Sequence, residues 1–383
     1  MSVKSSPVLD TIMVPANVLE QFMQDVFLRL GVPEKDARIC AEILITSDLR
    51  GIESHGIQRM KMYYDKIRQG VQFPVTKLEV VRESHTTAVI DGHHGMGQVI
   101  ARHAMNMAIE KARAYGMGAV AVRNSTHFGI AGYYPLMATQ AGMIGMTFTN
   151  ARPSIAPTFG VKPMLGTNPI AFGCPTDEAF PFLYDAATSI TQRGKLEVLA
   201  RIDKPAPAGW VINQDGEVLT DAQDCLDGFG KGTAALLPLG GLGETLGGHK
   251  GYGLATMVEI FSAALQSGHF LYGLLGLDEQ GHRVPNSLGH FFMAMNIENF
   301  TGLEDFKKTT GNILRDLRAA TPQPGCERIY TAGEKEYENE LRVRKEGVKV
   351  VPSLLTDIKT MITELGLRAY EDTFQVNPLD SSR

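Results

Sequence analysis

The stretch "PLGGLGETLGGHKGYGLATMVEIF", Pro238 to Phe261, decides which α/β fold the chain adopts. Seven glycines from Gly240 to Gly253 precede a run in which Leu254, Met257, Val258 and Phe261 fall at helical spacing. A loop of this kind lets backbone amides approach a phosphate, and Lys250 adds positive charge. Neither "GHKGYG" nor the earlier "DGHHGMGQ", Asp91 to Gln98, has the spacing and preceding strand of a dinucleotide fingerprint. No acidic residue closes a βαβ unit about 20 residues later either. The expectation is therefore a nucleotide site outside the Rossmann fold.

Upstream of this loop, "TTAVIDG", "GAVAVRN", "MIGMTFTN", "PIAFGCP" and "PFLYDAATS" are short, apolar and bounded by turn residues, as strands are. Gln98 to Tyr115 and Gly132 to Gln140 read as helices between them. "GWVINQDGEVL" is a hairpin turning on Asp215-Gly216, and "HFFMAMNIENF" supplies a late strand. The fold class is α/β, or mixed α+β, with a mixed sheet. The first 75 or so residues differ in texture. Val18, Leu19, Phe22, Met23, Val26, Phe27 and Leu30 mark one helix, Ala37 to Ile45 the inner face of a second, and about Ser54 to Gln69 a third. The segment from "LEDFKKTTGNILRDLRAA" to "SLLTDIKTMITELGL" is helical again. The expected division is a helical domain of residues 1–75 plus about 300–383, and a mixed-sheet domain of 76–299.

Composition narrows the function. A chain of 383 residues, 44% hydrophobic and 21% charged, with net charge −5, reads as an ordinary soluble globular protein of two domains. No basic run marks a nucleic-acid partner, and no apolar run is long enough for a membrane span. Cys40, Cys174, Cys225 and Cys326 stand far apart without a C-x-x-C pair, as reduced thiols of the cytoplasm do. The N-terminal "MSVKSSPVLDTIMVPANVLEQF" lacks the apolar core of an export signal. The ten histidines form no H-E-x-x-H or H-x-H cluster, so no metal is expected. The commonest hydrolase and NTPase motifs are absent as well.

Three further stretches carry chemistry. In "DLRGIESHGIQRM", Asp48 to Met60, a helix capped by Ser54 places His55 in its first turn and Arg59 on the same face. Arg50 and Arg59 then fork a carboxylate while His55 exchanges a proton with an adjacent oxygen. The competing reading is a solvated helix end. In "VRNSTHFGIAGYYPLMA", His127 lies in a strand-to-helix turn, where α/β proteins put ligands, and is a second acid/base, a cofactor contact or a structural turn residue. In "FLYDAATSITQRGK", Asp185 ends an apolar strand; it receives a ribose hydroxyl, orients a histidine, or forms an Asx-turn.

Together with "ARHAMNMAIEKA", "GMIGMTFTNARPSIAPTFG", "LGTNPIAFGCPT", "AALLPLGG" and "GGHKGYGL", these stretches resemble the malate/L-lactate dehydrogenase family of NAD(P)-dependent oxidoreductases over nearly the whole chain. The resemblance implies a non-Rossmann, sulfolactate-dehydrogenase-like fold and a homodimer. It implies that Arg50, Ser54, Arg59, Thr167 and Asn168 bind substrate, with His55 or His127 as acid/base and Asp185 beside them. It assigns the NAD or NADP contacts to His127, Ala151, Asp185, Ala186, Ala187, Lys250 and Gly251, and to Gly333, Glu334 and Lys335 of "AGEK". Ala186 stands where the family is expected to have methionine, and "LYGLLGLDEQGHRVPNSLGH" matches no family pattern.

The function this implies is hydride transfer between a nicotinamide and a 2-hydroxy acid, with malate/oxaloacetate first among substrates. Lactate, sulfolactate, ureidoglycolate or a cyclic imino acid are alternatives. A rival class is a binding module that keeps the glycine-rich loop and senses a metabolite. A sensor needs no proton carrier, so His55, Arg59, His127 and Asp185 favour the enzyme.

Overall fold

A computed structural model describes residues 11–375, which divide into two compact units, one of the described residues up to 75 and from 334 onward, the other 76–333. The first unit opens with β1 (Ile12–Val14), α1 (Ala16–Arg29), α2 (Glu34–Leu49) and α3 (Met60–Arg68). Pro15 and Pro33 precede α1 and α2, where a fixed φ and a missing N–H cost nothing. The expected third helix is shorter than its sequence pattern. Two 3₁₀ turns, Glu53–His55 and Ile57–Arg59, come first, because Gly56 between them sits at φ −91, ψ −134, outside helical space.

The second unit holds β2 (Glu79–Glu83), β3 (Thr87–Asp91), α4 (Gly97–Tyr115), β4 (Met117–Ser125), α5 (Tyr133–Gln140), β5 (Met143–Thr149), β6 (Ile170–Cys174) and β7 (Phe182–Ala186). It continues through α6 (Arg193–Arg201), β8 (Val211–Asn213), β9 (Val218–Leu219), α7 (Ala222–Lys231), β10 (Ala234–Leu236), α8 (Gly248–Ala263), β11 (Leu288–Asn296) and α9 (Leu303–Arg318). The chain then returns to the first unit with α10 (Glu334–Glu346), β12 (Val348–Val350), which pairs with β1, and α11 (Pro352–Leu365).

Seven strands form the main sheet in the order β2-β3-β4-β11-β5-β6-β7. Only β3 and β4 run parallel, so this is a mixed sheet and not the parallel Rossmann order. One expectation is corrected here: "DGHHGMGQ" does follow a strand, β3, and opens α4 inside a β-α-β unit. Its helix start is already closed by hydroxyls, since Thr76 Oγ1 accepts the Met96 N–H at 3.1 Å and Thr126 Oγ1 that of Gly97 at 3.0 Å. Gly97 is required, because a Cβ there would lie 2.4 Å from the Thr126 carbonyl oxygen.

The sheet is covered on both faces. Ala121, Phe148 and Phe291 meet Val258 of α8 on one side. On the other, Gly145 lets β5 approach α5, a Cβ there falling 2.7 Å from that of Ala138. The hairpin at Asp215-Gly216 forms as expected, with Gly216 at φ 82, but pairs with β10 in a separate three-stranded sheet. α9 belongs to the second unit, where Arg315 forks the carboxylate of Asp177 at 2.9 and 3.1 Å. Among the described residues no helix is long and apolar enough to cross a membrane, and Cys40, Cys174, Cys225 and Cys326 are free thiols.

Candidate active site

The first unit carries the histidine–arginine stretch. α2 is followed at its C-cap by Arg50, which is 5% exposed and directs Nη1 to Glu340 of α10 at 3.7 Å. Its guanidinium thus faces α10 with one nitrogen, while Arg59 lies beside His55 through Ser54. Ser54 does not cap a helix. Its hydroxyl lies 2.8 Å from His55 Nδ1, and its carbonyl accepts the Arg59 Nε–H at 2.7 Å. His55 and Arg59 therefore close successive turns tied through Ser54, instead of stacking on one helix face.

Burial, and then the Arg59 cation, push the His55 imidazole from 6.5 down to about 4, so it is neutral at physiological pH. Beneath both turns lies Asp48, an acid on the apolar face of α2 that sequence reasoning passed over. It is 3% exposed and accepts the Ile57 N–H at 2.8 Å. The signal was available: Asp48 follows Leu44 by four residues, on the stripe that should be apolar.

The second unit joins the other stretches. His127 follows β4, and its Nδ1 accepts the Gly129 N–H at 3.4 Å. Asp185 is exposed near the end of edge strand β7, and its Oδ2 accepts the Gly132 N–H at 2.7 Å, at the start of α5. The His127 turn and Asp185 are thus locked together. Gly132 is needed for this, because a Cβ would lie 2.9 Å from that oxygen.

Ala186 closes β7 opposite Ile170, and Ala187 leads into Thr188. Thr188 donates its N–H to the Thr167 carbonyl at 2.9 Å, and the Leu239 N–H donates to the Thr188 carbonyl at 2.8 Å. This brings Thr167, the residues after Asp185 and the glycine-rich loop to one place. Asn168 is fully buried at φ 36, its amide donating to the Ala255 carbonyl and to Glu259, so it fastens α8 from inside. Ala151 lies beside this segment, its carbonyl oxygen 2.4 Å from where a Gly166 Cβ would be.

The glycines of the loop mostly serve its own packing. A Cβ at Gly248 would meet the Gly241 carbonyl at 2.0 Å, and one at Gly251 the Leu239 carbonyl at 2.2 Å. Lys250, in the first turn of α8, is exposed. Gly333, at φ 93, packs on β7, a Cβ falling 2.8 Å from the Pro181 carbonyl. Glu334 and Lys335 begin α10 in the first unit, the former buried and the latter exposed. The donor set of the second unit suits a nicotinamide dinucleotide: an exposed carboxylate, an exposed ammonium, and the buried hydroxyls of Ser189 and Thr191, which have no protein hydrogen-bond partner.

His290 was also missed. It is fully buried on β11, with Nε2 2.8 Å from Ser125 Oγ and Nδ1 2.7 Å from Thr149 Oγ1, and its ring stacks on Phe128 at 4.4 Å. It braces the turn that carries His127. Its signal was a polar residue at an inward position of a buried strand.

Burial pushes His290 from 6.5 down to about 3. The folded state therefore refuses a proton that the unfolded chain accepts. Its contribution is complete above about pH 6.5 and lost as pH falls toward 3, at most about 5 kcal/mol. Urea midpoints of His290→Asn should fall less steeply than wild type between these limits; parallel curves would contradict the assignment.

The comparisons agree with this architecture. The family model described as malate/L-lactate dehydrogenase matches residues 14–359. A malate dehydrogenase of Pyrococcus abyssi is 44% identical over 358 residues, 94% of this chain and 96% of the relative. The crystal structure of malate dehydrogenase from Entamoeba histolytica superposes with a TM-score of 0.90 at 46% identity, covering 93% of this chain and 98% of that one. Sulfolactate dehydrogenase from Methanocaldococcus jannaschii gives 0.82 at 35% identity, covering 93% and 98%. The chain belongs to the malate/L-lactate dehydrogenase family and is a 2-hydroxy-acid dehydrogenase.

Proposed function

We propose that the chain interconverts malate and oxaloacetate with a nicotinamide cofactor, His55 exchanging the proton and Arg59 holding a substrate carboxylate. The observation that carries the roles is the Ser54–His55–Arg59 arrangement, a neutral half-buried imidazole beside a guanidinium. When bound, the cofactor supplies the hydride chemistry. Asp185, Lys250, the residues after Asp185 and the "AGEK" segment are proposed to hold it.

The two histidines differ in what their rings offer. The Gly129 N–H on His127 Nδ1 places the proton of the neutral ring on Nε2, which leaves a donor and no free lone pair. For His55, the Ser54 hydroxyl accepts a proton from Nδ1 as readily as it gives one. With Ser54 accepting, Nε2 is a base that takes the proton of a substrate hydroxyl, and in reduction the ring returns it. A bound carboxylate raises His55 from its low resting value, so the neutral ring becomes a stronger acceptor for the hydroxyl proton and stabilises the charge it gains in the step. His127 is a hydrogen-bond donor to substrate or cofactor in this reading.

The test is a spectrophotometric assay of reduced NAD and NADP oxidation by pure protein with oxaloacetate, pyruvate, sulfopyruvate and a cyclic imino acid. The highest kcat/KM should fall on oxaloacetate. Another preferred acid would overturn the substrate choice, and turnover of none would sink the enzymatic reading of the site.

We also propose a homodimer in a reducing cytoplasm. Leu254 and Ile260 of α8, with Leu265 and Phe270 beyond it, are exposed apolar side chains of the second unit, and the free cysteines suit a reducing compartment. Light scattering at micromolar concentration should give twice the chain mass; a mass of one chain would contradict the dimer.

A further inference from the structure

We propose that Asp48 is a positioning residue that sets the aim of His55 and Arg59 by fixing the break between the two turns that carry them. The proposal rests on the roles given to His55 and Arg59 above. Asp48 is the penultimate residue of α2, a sixteen-residue helix packed in the core of its unit, so its carboxyl is a fixed point. Oδ2 accepts the Ile57 N–H, the first amide of the second turn.

The other oxygen fills the space beside Gly56. A Cβ built at Gly56 would stand 2.0 Å from Asp48 Oδ1 and 2.1 Å from its carboxyl carbon. Gly56 is thus bare so that the carboxyl can lie against the backbone where one turn ends and the next begins. His55 is the last residue of the first turn and Arg59 the last of the second, joined through Gly56, the Asp48 bond and the Arg59–Ser54 contact. Without the carboxyl, the angle between the turns is free to relax, and the two side chains lose their common target. Displacements near 1 Å at reacting groups lower rates by about 10²-fold.

Burial holds the Asp48 carboxyl up at about 8, so it is largely neutral at pH 7, and an amide of the same shape can replace it. This separates the acceptor role from a charge role. Asp48→Asn keeps an oxygen for the Ile57 N–H, whereas Asp48→Ala does not. Gly56 supplies an independent arm, because a methyl at 56 and the carboxyl of residue 48 compete for one space.

The experiment measures kcat/KM for the preferred 2-oxo acid, cofactor affinity by fluorescence and thermal unfolding for Asp48→Ala, Asp48→Asn, Gly56→Ala and the Gly56→Ala/Asp48→Ala pair. Expected are losses of about 10²-fold in kcat/KM for Asp48→Ala and Gly56→Ala, with cofactor affinity within about twofold of wild type. Asp48→Asn should retain activity within about fivefold. The double variant should be no worse than the poorer single, since its second change meets no carboxyl.

The proposal is overturned by folded Asp48→Ala with wild-type kcat/KM, by Asp48→Asn as damaged as Asp48→Ala, or by losses that multiply in the double variant. Should Asp48→Ala not fold, a wild-type rate in Gly56→Ala overturns it equally. The NMR titration of the His55 ring, assigned with His55→Gln, separates this from failure of the functional reading. In Gly56→Ala the ring should titrate closer to 6.5 whether or not a 2-oxo acid turns over, and an unchanged titration contradicts the positioning role.

Discussion

His55→Ala should lower kcat by roughly 10²–10⁴-fold, the range expected when a general acid/base is removed. Cofactor binding should stay near wild type, because the groups proposed to hold the dinucleotide's ribose and phosphates do not include this ring. The expectation follows from the local geometry. His55 is held by Ser54 at 2.8 Å and kept neutral by burial and Arg59, the state in which it accepts a proton from a hydroxyl. Stopped-flow cofactor binding alongside steady-state rates checks both halves, and a His55→Ala enzyme with near-normal kcat would remove the assignment.

Arg59→Ala should act on binding instead, raising KM for the 2-oxo acid strongly while kcat falls less. Loss of a charge-assisted partner for a desolvated carboxylate costs about 2–4 kcal/mol, or roughly 30- to 1000-fold in kcat/KM. Arg59→Lys should recover only part of this, since one ammonium cannot reproduce a planar fork. Arg50→Ala should look different. Its guanidinium faces Glu340, so the loss should appear in thermal stability more than in KM. Equal KM effects for the two arginines would instead support a two-arginine fork on the substrate.

Much of the second unit was legible because its strands are short apolar runs between turn residues, and the glycine patterns correctly failed to make a Rossmann signature. The misreadings have local causes. The third helix was drawn from Ser54 because its apolar spacing is helical. Spacing does not report that Gly56 leaves helical space to accommodate the Asp48 carboxyl.

Two arginines flanking a histidine suggest a carboxylate fork, and sequence does not report that Arg50 also faces Glu340, 290 positions away. The motif suggests Asn168 as a substrate contact, and sequence does not report that its buried Nδ2 fastens α8 while its Oδ1 has no partner in the protein. Asp185 was left between ligand and turn, and the bond to Gly132 that links it to the His127 stretch is a tertiary fact. Sequence showed which stretches carry chemistry; long-range partners decided which residues in them are free to use it.

Whether His55 or His127 carries the proton is decided by the pH dependence of kcat for hydroxy-acid oxidation in wild type, His55→Ala and His127→Ala. The base must be unprotonated in this direction, so wild type should show an acid limb, placed above pH 4 by the bound carboxylate. The limb should disappear in His55→Ala and persist, at reduced amplitude, in His127→Ala. A limb that survives in His55→Ala and vanishes in His127→Ala would contradict the assignment to His55.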